Sequence, residues 1–226
     1  MACCLTCFSD DPIEGDKYGH YSNTFQLSMK DATCQEPGCC LASCFCPPCA
    51  QYIIRQKALE GDMSNYRCCQ GYYDEACFKS GSCGESSCPE VCLCFEATFC
   101  NSCAVSSTRR LVMDTYLLQS DPCDRRLIRL NNCIQCLTCP CHILAICDPE
   151  FRDCAQPVDY CANCFYYSVA ACMTTQVNFE IDYQKAKPIG PEAGYDGVGG
   201  VPSPPTAVLV EDQSAPNKPL ADSMDR

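Results

Sequence analysis

The sequence predicts a mainly α-helical protein: a small helical bundle with a helical hairpin, irregular cysteine-rich loops and disordered tails. Proline and glycine residues divide the middle of the chain into segments of helical length. Cysteines make up 28 of the 226 residues, and they run without a long gap only from Cys34 to Cys172. Together these observations indicate one cysteine-bearing helical domain with a tail on each side.

The predicted elements follow from their start and stop residues, because proline is tolerated in the first turn of a helix and glycine favours its end. A first helix over 51–59 follows Pro47-Pro48 and stops at Gly61. The later elements are an irregular loop over 66–88, a helix over 89–107 that continues to 119 and breaks at Asp121-Pro122, and a helical hairpin over about 124–147 and 158–183.

Three segments organise the chain. They are a polar N-terminal tail over 1–33, a cysteine-rich domain over 34–184 and a Pro/Gly-rich tail over 185–226. Residues 8–33 show no hydrophobic periodicity, so we expect them to be mobile. The last segment holds seven prolines, five glycines and no cysteine, a composition that predicts disorder. Either tail could recruit protein partners, and a homo-oligomer is compatible with the sequence.

Charge and cysteine usage restrict the partners and the compartment. The formal net charge is −12, which argues against a nucleic-acid partner. The N-terminus carries neither a basic region nor a long apolar stretch, so we expect no secretory signal peptide. In a reducing compartment, cysteine clusters bind metal or carry lipid more often than they form disulfides.

The hairpin contains two uncharged stretches of membrane-spanning length, Leu130–Cys147 and Tyr160–Phe179. Polar residues dilute both of them, so a soluble hairpin in a cytoplasmic protein remains the alternative. Arginines at 125, 126 and 129 precede the first stretch, and the loop between the two is acidic. The positive-inside rule then predicts a membrane-associated protein with both termini in the cytosol.

Helical spacing predicts where the cysteines of the hairpin point. Cys133 and Cys136 share one face of the first helix, and Cys161 and Cys164 share one face of the second. Facing thiolates could complete a tetrahedral site, and zinc is the cofactor that such a site predicts. Cys46 and Cys49 are a further chelating pair. For every pair, a disulfide or redox role and simple packing remain alternatives.

The region from Cys39 to Cys49 resembles a known family. Its sequence, CCLASCFCPPC, is similar to the opening of the placenta-specific-8 (cysteine-rich) domain, which is found in plant cell-number regulators and cadmium-resistance proteins. The resemblance extends over about 39–184 and ends on Cys172-Met173-Thr174-Thr175-Gln176. The family pattern has a single proline in place of Pro47-Pro48, and many members have cysteine in place of Thr175.

The resemblance implies a non-enzymatic, membrane-associated protein, often at the plasma membrane, that handles divalent metal ions such as zinc or cadmium. It implies as an alternative a structural or interaction protein that regulates cell growth or number. In the second case the cysteines would form a structural core.

No residue set predicts catalysis. A cysteine nucleophile needs a base held by a third group, but His142 lies in an apolar run and His20 in the N-terminal tail. Phosphate-binding glycine motifs are also absent from the sequence. Glu96 is the best candidate for an ionisable side chain that faces the interior of a helical bundle.

The N-terminus predicts lipidation, and an unmodified, oxidation-prone N-terminus remains the alternative. Cys3 and Cys4 lie beside Leu5, a setting that suits S-acylation near a membrane. Ala2 excludes N-myristoylation, and the C-terminal residues form no prenylation motif. Two acyl chains would anchor the chain stably, whereas one would not.

Overall fold

Seven α-helices account for most of the described chain, which confirms the predicted mainly-α fold. The structure is a computed structural model and describes residues 17–74, 80–82, 84–147 and 150–187. The helices are α1 (Met29–Gln35), α2 (Pro37–Phe45), α3 (Pro47–Ala58), α4 (Pro89–Phe99), α5 (Asn101–Tyr116), α6 (Pro122–Cys147) and α7 (Glu150–Ala186). Two short strands, β1 (Asn23–Thr24) and β2 (Leu118–Gln119), pair in parallel.

Proline sets the corners between the first three helices. Single residues, Glu36 and Cys46, separate α1 from α2 and α2 from α3, and a proline follows each of them. Proline has no backbone N–H, and it disfavours helical geometry in the residue before it. The chain therefore turns sharply twice within residues 29–58 and still remains helical on both sides of each corner.

A further corner lies at Cys100, inside the segment predicted as one helix over 89–107. Cys100 has φ −121° and ψ 43°, so α4 ends before it and α5 begins after it. The side chain of Asn101 donates to the carbonyl oxygen of Ala97 at 3.2 Å. Asparagine competes for backbone groups in this way, which makes it a common residue at helix ends.

Residues that the sequence assigns to the N-terminal tail pack against the helices. Phe25, Leu27 and Met29 are buried. The backbone N–H of Asn23 donates to the carbonyl oxygen of Leu117 at 3.0 Å, next to the pairing of β1 with β2. The packed structure therefore starts well before the predicted boundary at residue 34, because three apolar residues without helical spacing are enough to cover the core.

The last two helices form the predicted hairpin, with shifted boundaries. Helix α6 begins at Pro122, just before the predicted start at about 124, and continues through Pro140. Helix α7 begins at Glu150, so Pro157 lies inside a helix and not in the predicted loop. A proline inside a helix removes one backbone hydrogen bond but does not always end the helix. The amide of Gln135 joins the two arms by donating to the carbonyl oxygen of Ala162 at 2.9 Å.

The core combines apolar packing with buried charge. One apolar cluster contains Phe25, Ile54, Val112, Met113, Leu118, Val177 and Ile181. Next to it, Arg109 on α5 forms an ion pair with Asp124 on α6 at 2.9 Å, with both side chains almost inaccessible. Gln176 on α7 donates to the same Asp124 oxygen at 2.7 Å, so three helices meet at one carboxylate.

We expect Asp124→Asn to destabilise the protein by about 3–5 kcal/mol, because it leaves the buried Arg109 guanidinium without a counter-charge. Denaturant unfolding followed by circular dichroism measures the change. The matched control is Asp182→Asn, which removes the exposed partner of Lys57 and should cost less than about 1 kcal/mol. Equal losses in the two variants would contradict the central role of Asp124.

Candidate metal centre at a buried carboxylate

A buried arginine defines the centre of the bundle. Helix α3 turns Gln51, Ile54 and Arg55 toward the core, which is the spacing of one helix face. The side chain of Arg55 is inaccessible to solvent. A buried charge requires a counter-charge, and Glu96 on α4 supplies it: Arg55 Nη2 lies 3.0 Å from Glu96 Oε1.

Glu96 receives hydrogen bonds from several directions. The hydroxyl of Tyr66 and the backbone N–H of Cys69 each donate to its Oε2 at 2.8 Å. On the other side, the Ser107 hydroxyl lies 3.4 Å from Oε1, which Arg55 also contacts. Both carboxylate oxygens thus have donors, and Glu96 connects α3, α4 and α5 with the loop that contains Tyr66. The predicted inward-facing position of Glu96 agrees with this burial.

The loop beside Glu96 has an unusual backbone conformation. Cys69 and Gln70 have φ values of 48° and 51°, and Gly71 follows at 73°. A left-handed conformation costs a non-glycine residue about 1–3 kcal/mol, so such turns persist only where neighbours hold them. Glu96 accepts the Cys69 N–H, and Glu85 accepts the Cys68 N–H. Two carboxylates therefore hold a turn that carries two adjacent thiols.

The turn brings three potential ligands together. The ligand atoms of Cys68, Cys69 and Glu96 all lie within 4.8 Å of one another, the one group of this kind in the described part of the chain. Two thiols and a carboxylate are ligands that zinc accepts, and adjacent soft sulfurs also suit its heavier relative cadmium. Cys103 on α5 lies in the same neighbourhood, since its thiol contributes to the raised pKa of Cys69.

Burial determines the protonation of this group. It raises the pKa of the Cys69 thiol well above its ordinary value, and the neighbouring Glu96 carboxylate raises it further. Burial and Glu96 also raise the pKa of the Tyr66 hydroxyl. Both groups therefore keep their protons at neutral pH. A metal ion would have to displace the proton from each thiol that it binds, as metal binding to cysteine generally does.

The first predicted metal pair has a different state in this structure. Cys46 and Cys49 form a disulfide with their Cα atoms 5.4 Å apart. A sulfur in a disulfide has no thiolate to offer a metal. Of the alternatives that the spacing left open for this pair, the structure contains the disulfide.

The hairpin cysteines lie on the surface. Cys136, Cys161 and Cys164 are exposed and Cys133 is half-buried. None of the four belongs to a group of three potential ligand atoms within 4.8 Å among the described residues. His142 instead contacts Asp159 across the hairpin at 3.0 Å. Cys3 and Cys4, the predicted lipidation sites, lie outside the described residues.

The sequence analysis did not predict the site at Cys68, Cys69 and Glu96, because these candidate ligands follow no familiar metal-binding spacing. Cys68 and Cys69 are adjacent, whereas the predicted pairs have two residues between them. They also fall within 66–88, which was predicted to be an irregular loop. One signal in the sequence is Arg55, which lies beside Ile53 and Ile54 on a helix with one buried face. An arginine on such a face indicates a buried carboxylate partner.

The exposed surface of α6 is a second feature of functional interest. Among the described helices, α6 is the one that is long and apolar enough to cross a membrane, and almost none of its apolar stretch is buried. The second predicted stretch, Tyr160–Phe179, differs. It lies within α7, which is buried in the bundle at Val169, Ala170 and Ala171, so it is not a second free span.

Comparison with known proteins adds no relatives, since no family model, curated protein or solved structure matches the chain. The resemblance to the placenta-specific-8 domain therefore stays a prediction.

We expect Glu96→Gln to destabilise the protein by about 3–5 kcal/mol, because it leaves the Arg55 guanidinium buried without a counter-charge. Glu90→Gln is the matched control, since Glu90 is exposed on the same helix and its loss should cost less than about 0.5 kcal/mol. Denaturant midpoints of the two variants make the comparison. A Glu96→Gln protein as stable as the control would show that the ion pair is dispensable.

Proposed function

We propose that this protein is a non-enzymatic, membrane-associated protein that binds a soft divalent metal ion, zinc or cadmium, through cysteine. The observation that carries the proposal is the convergence of Cys68, Cys69 and Glu96 within 4.8 Å. The proposed ligands differ from the pairs that the sequence favoured, but the proposed chemistry is the same.

Preorganisation supports the metal proposal. Donors from Tyr66 and Cys69 fix the position of Glu96, and the left-handed turn fixes the two thiols beside it. A site that is already held in place loses little conformational freedom when the metal arrives. The Arg55 guanidinium compensates for part of the negative charge that two thiolates and one carboxylate would accumulate.

The exterior of the hairpin supports the membrane proposal. Leu137, Ile143 and Ile146 on α6 are all more than half exposed, and Ile146 reaches 83%. Tyr160 on α7 is also exposed, and tyrosine favours the interface between lipid and water. We assign the outer part of the hairpin to the membrane, with the arginines at 125, 126 and 129 on the cytosolic side.

A structural or interaction protein, in which the cysteines serve as core residues, is the second candidate. The hydrogen bonding of Glu96 favours it, because Arg55, Tyr66 and Cys69 already satisfy both carboxylate oxygens. In that case the cluster holds the loop against the helices without any metal. The two candidates predict different metal contents for the purified protein.

We expect the full chain, purified under reducing conditions in zinc-containing buffer and dialysed against a weak chelator, to retain about one zinc ion per chain. The double substitution Cys68→Ser/Cys69→Ser should remove that ion, because a hydroxyl is a much poorer zinc ligand than a thiolate. Elemental analysis of the dialysed protein gives the stoichiometry. Cadmium replaces zinc in a parallel experiment.

The matched control is Cys88→Ser/Cys94→Ser, which removes two exposed thiols and should leave the metal content unchanged. Circular dichroism confirms that each variant is folded. Wild-type protein that retains well under one metal ion per chain refutes metal binding. Equal metal loss in the two double variants would place the bound ion elsewhere.

We expect the full chain to sediment with phosphatidylcholine/phosphatidylserine vesicles and to resist extraction at alkaline pH. Ile143→Asp/Ile146→Asp should weaken vesicle binding by at least roughly tenfold, because each aspartate costs up to about 3 kcal/mol in the apolar layer. The control, Leu117→Asp, likewise replaces an exposed aliphatic residue with aspartate, but Leu117 lies at the end of α5 and outside the hairpin. Equal vesicle binding by the two variants would contradict the assignment of the hairpin to the membrane.

A further inference from the structure

The disulfide between Cys46 and Cys49 stands apart from the other cysteines. It closes the sequence Cys-Pro-Pro-Cys, whereas twenty other cysteines in the described part of the chain are thiols. Two cysteines with two residues between them are the arrangement that dithiol oxidoreductases use. Neither sulfur belongs to the proposed metal centre.

The pair lies at the start of a well-formed helix. Cys46 is the residue that caps α3, and Cys49 is in its first turn. The N-terminus of a helix carries a partial positive charge, which stabilises a thiolate there. Pro47 and Pro48 have no N–H, so the backbone N–H of Cys49 is the first one of α3 that could face the sulfur of Cys46.

The two sulfurs differ in access. Cys49 is exposed, whereas Cys46 is half-buried. A thiolate that arrives from solvent therefore meets Cys49 first. The sulfur that leaves is then Cys46, which is the one that the helix N-terminus can stabilise as a thiolate. Access and electrostatics thus favour the same direction of attack.

We propose that Cys46 and Cys49 form a redox-active couple that exchanges with a dithiol. A thiolate of the dithiol attacks the sulfur of Cys49, and a mixed disulfide forms while the bond to Cys46 breaks. Cys46 leaves as a thiolate and takes up a proton. The second thiol of the dithiol then attacks the dithiol sulfur that is bonded to Cys49 in the mixed disulfide. This step closes the disulfide of the dithiol and releases Cys49 as a thiolate, which takes up a proton. Two electrons and two protons pass to the protein, and the dithiol leaves as a disulfide.

The same steps in reverse oxidise the pair at the expense of a disulfide. The couple is independent of the proposed metal function, because Cys68 and Cys69 take no part in it. Loss of metal binding in Cys68→Ser/Cys69→Ser would leave the redox behaviour unchanged.

The test equilibrates the full chain with mixtures of reduced and oxidised dithiothreitol, stops the exchange with acid and alkylates the free thiols. Mass spectrometry of the peptide with Cys46 and Cys49 then measures its oxidised fraction. We expect both cysteines to change together in one reversible two-electron transition, under conditions in which circular dichroism shows native helix content. Cys44→Ser, which removes an exposed thiol close to the pair, should leave that transition unchanged.

Trapping of the mixed disulfide tests the direction of attack. When reduced glutathione opens the disulfide of the wild-type chain and acid stops the reaction, glutathione should be found on Cys49 in roughly tenfold excess over Cys46, since Cys49 is the exposed sulfur. A pair that stays bonded until the protein unfolds overturns the proposal, and so does a pair that never forms in the wild-type chain. Pairing of Cys46 with Cys44 would overturn it too.

Discussion

The buried ion pair between Arg55 and Glu96 is the interaction on which the remaining structure depends. A guanidinium with no accessible surface can exist only where a carboxylate meets it. This requirement fixes the distance between α3 and α4. Thr108 on α5 accepts from Arg55 Nε at 2.9 Å, and thus α5 is oriented by the same side chain. A pair of apolar residues would tolerate many relative rotations of these helices, whereas this network tolerates few.

The second buried carboxylate, Asp124, extends the same principle to the hairpin. It receives hydrogen bonds from Arg109 and Gln176 and from the backbone N–H of Met29 at 3.1 Å. Asp124, at the start of α6, therefore joins α1, α5 and α7. Gln176 has a structural role, because its amide also donates to the carbonyl oxygen of Leu27 at 2.7 Å.

The sequence predicted those features that depend on neighbouring residues. Pro47 and Pro122 mark helix boundaries because proline acts on its own backbone and on the residue before it, although each helix begins at the proline and not at the predicted residues 51 and about 124. The sequence did not predict the corner at Cys100, where no proline or glycine is present. It also did not predict the turn at Cys69, whose left-handed conformation depends on Glu96, 27 residues away. The pairing of Arg55 with Glu96, 41 residues apart, is likewise a property of the folded chain.

Burial separates the cysteines into groups with different chemistry. Cys69 is enclosed beside a carboxylate, so its thiol keeps its proton and reacts only with a ligand that can displace it. Cys46 and Cys49 form a disulfide at a helix N-terminus, where Cys49 is exposed and where we propose exchange with a dithiol. Cysteines such as Cys136, Cys161 and Cys164 lie on the exposed hairpin beside apolar side chains. Cysteine thus occurs in three environments in this protein, and the fold determines which chemistry each sulfur can perform.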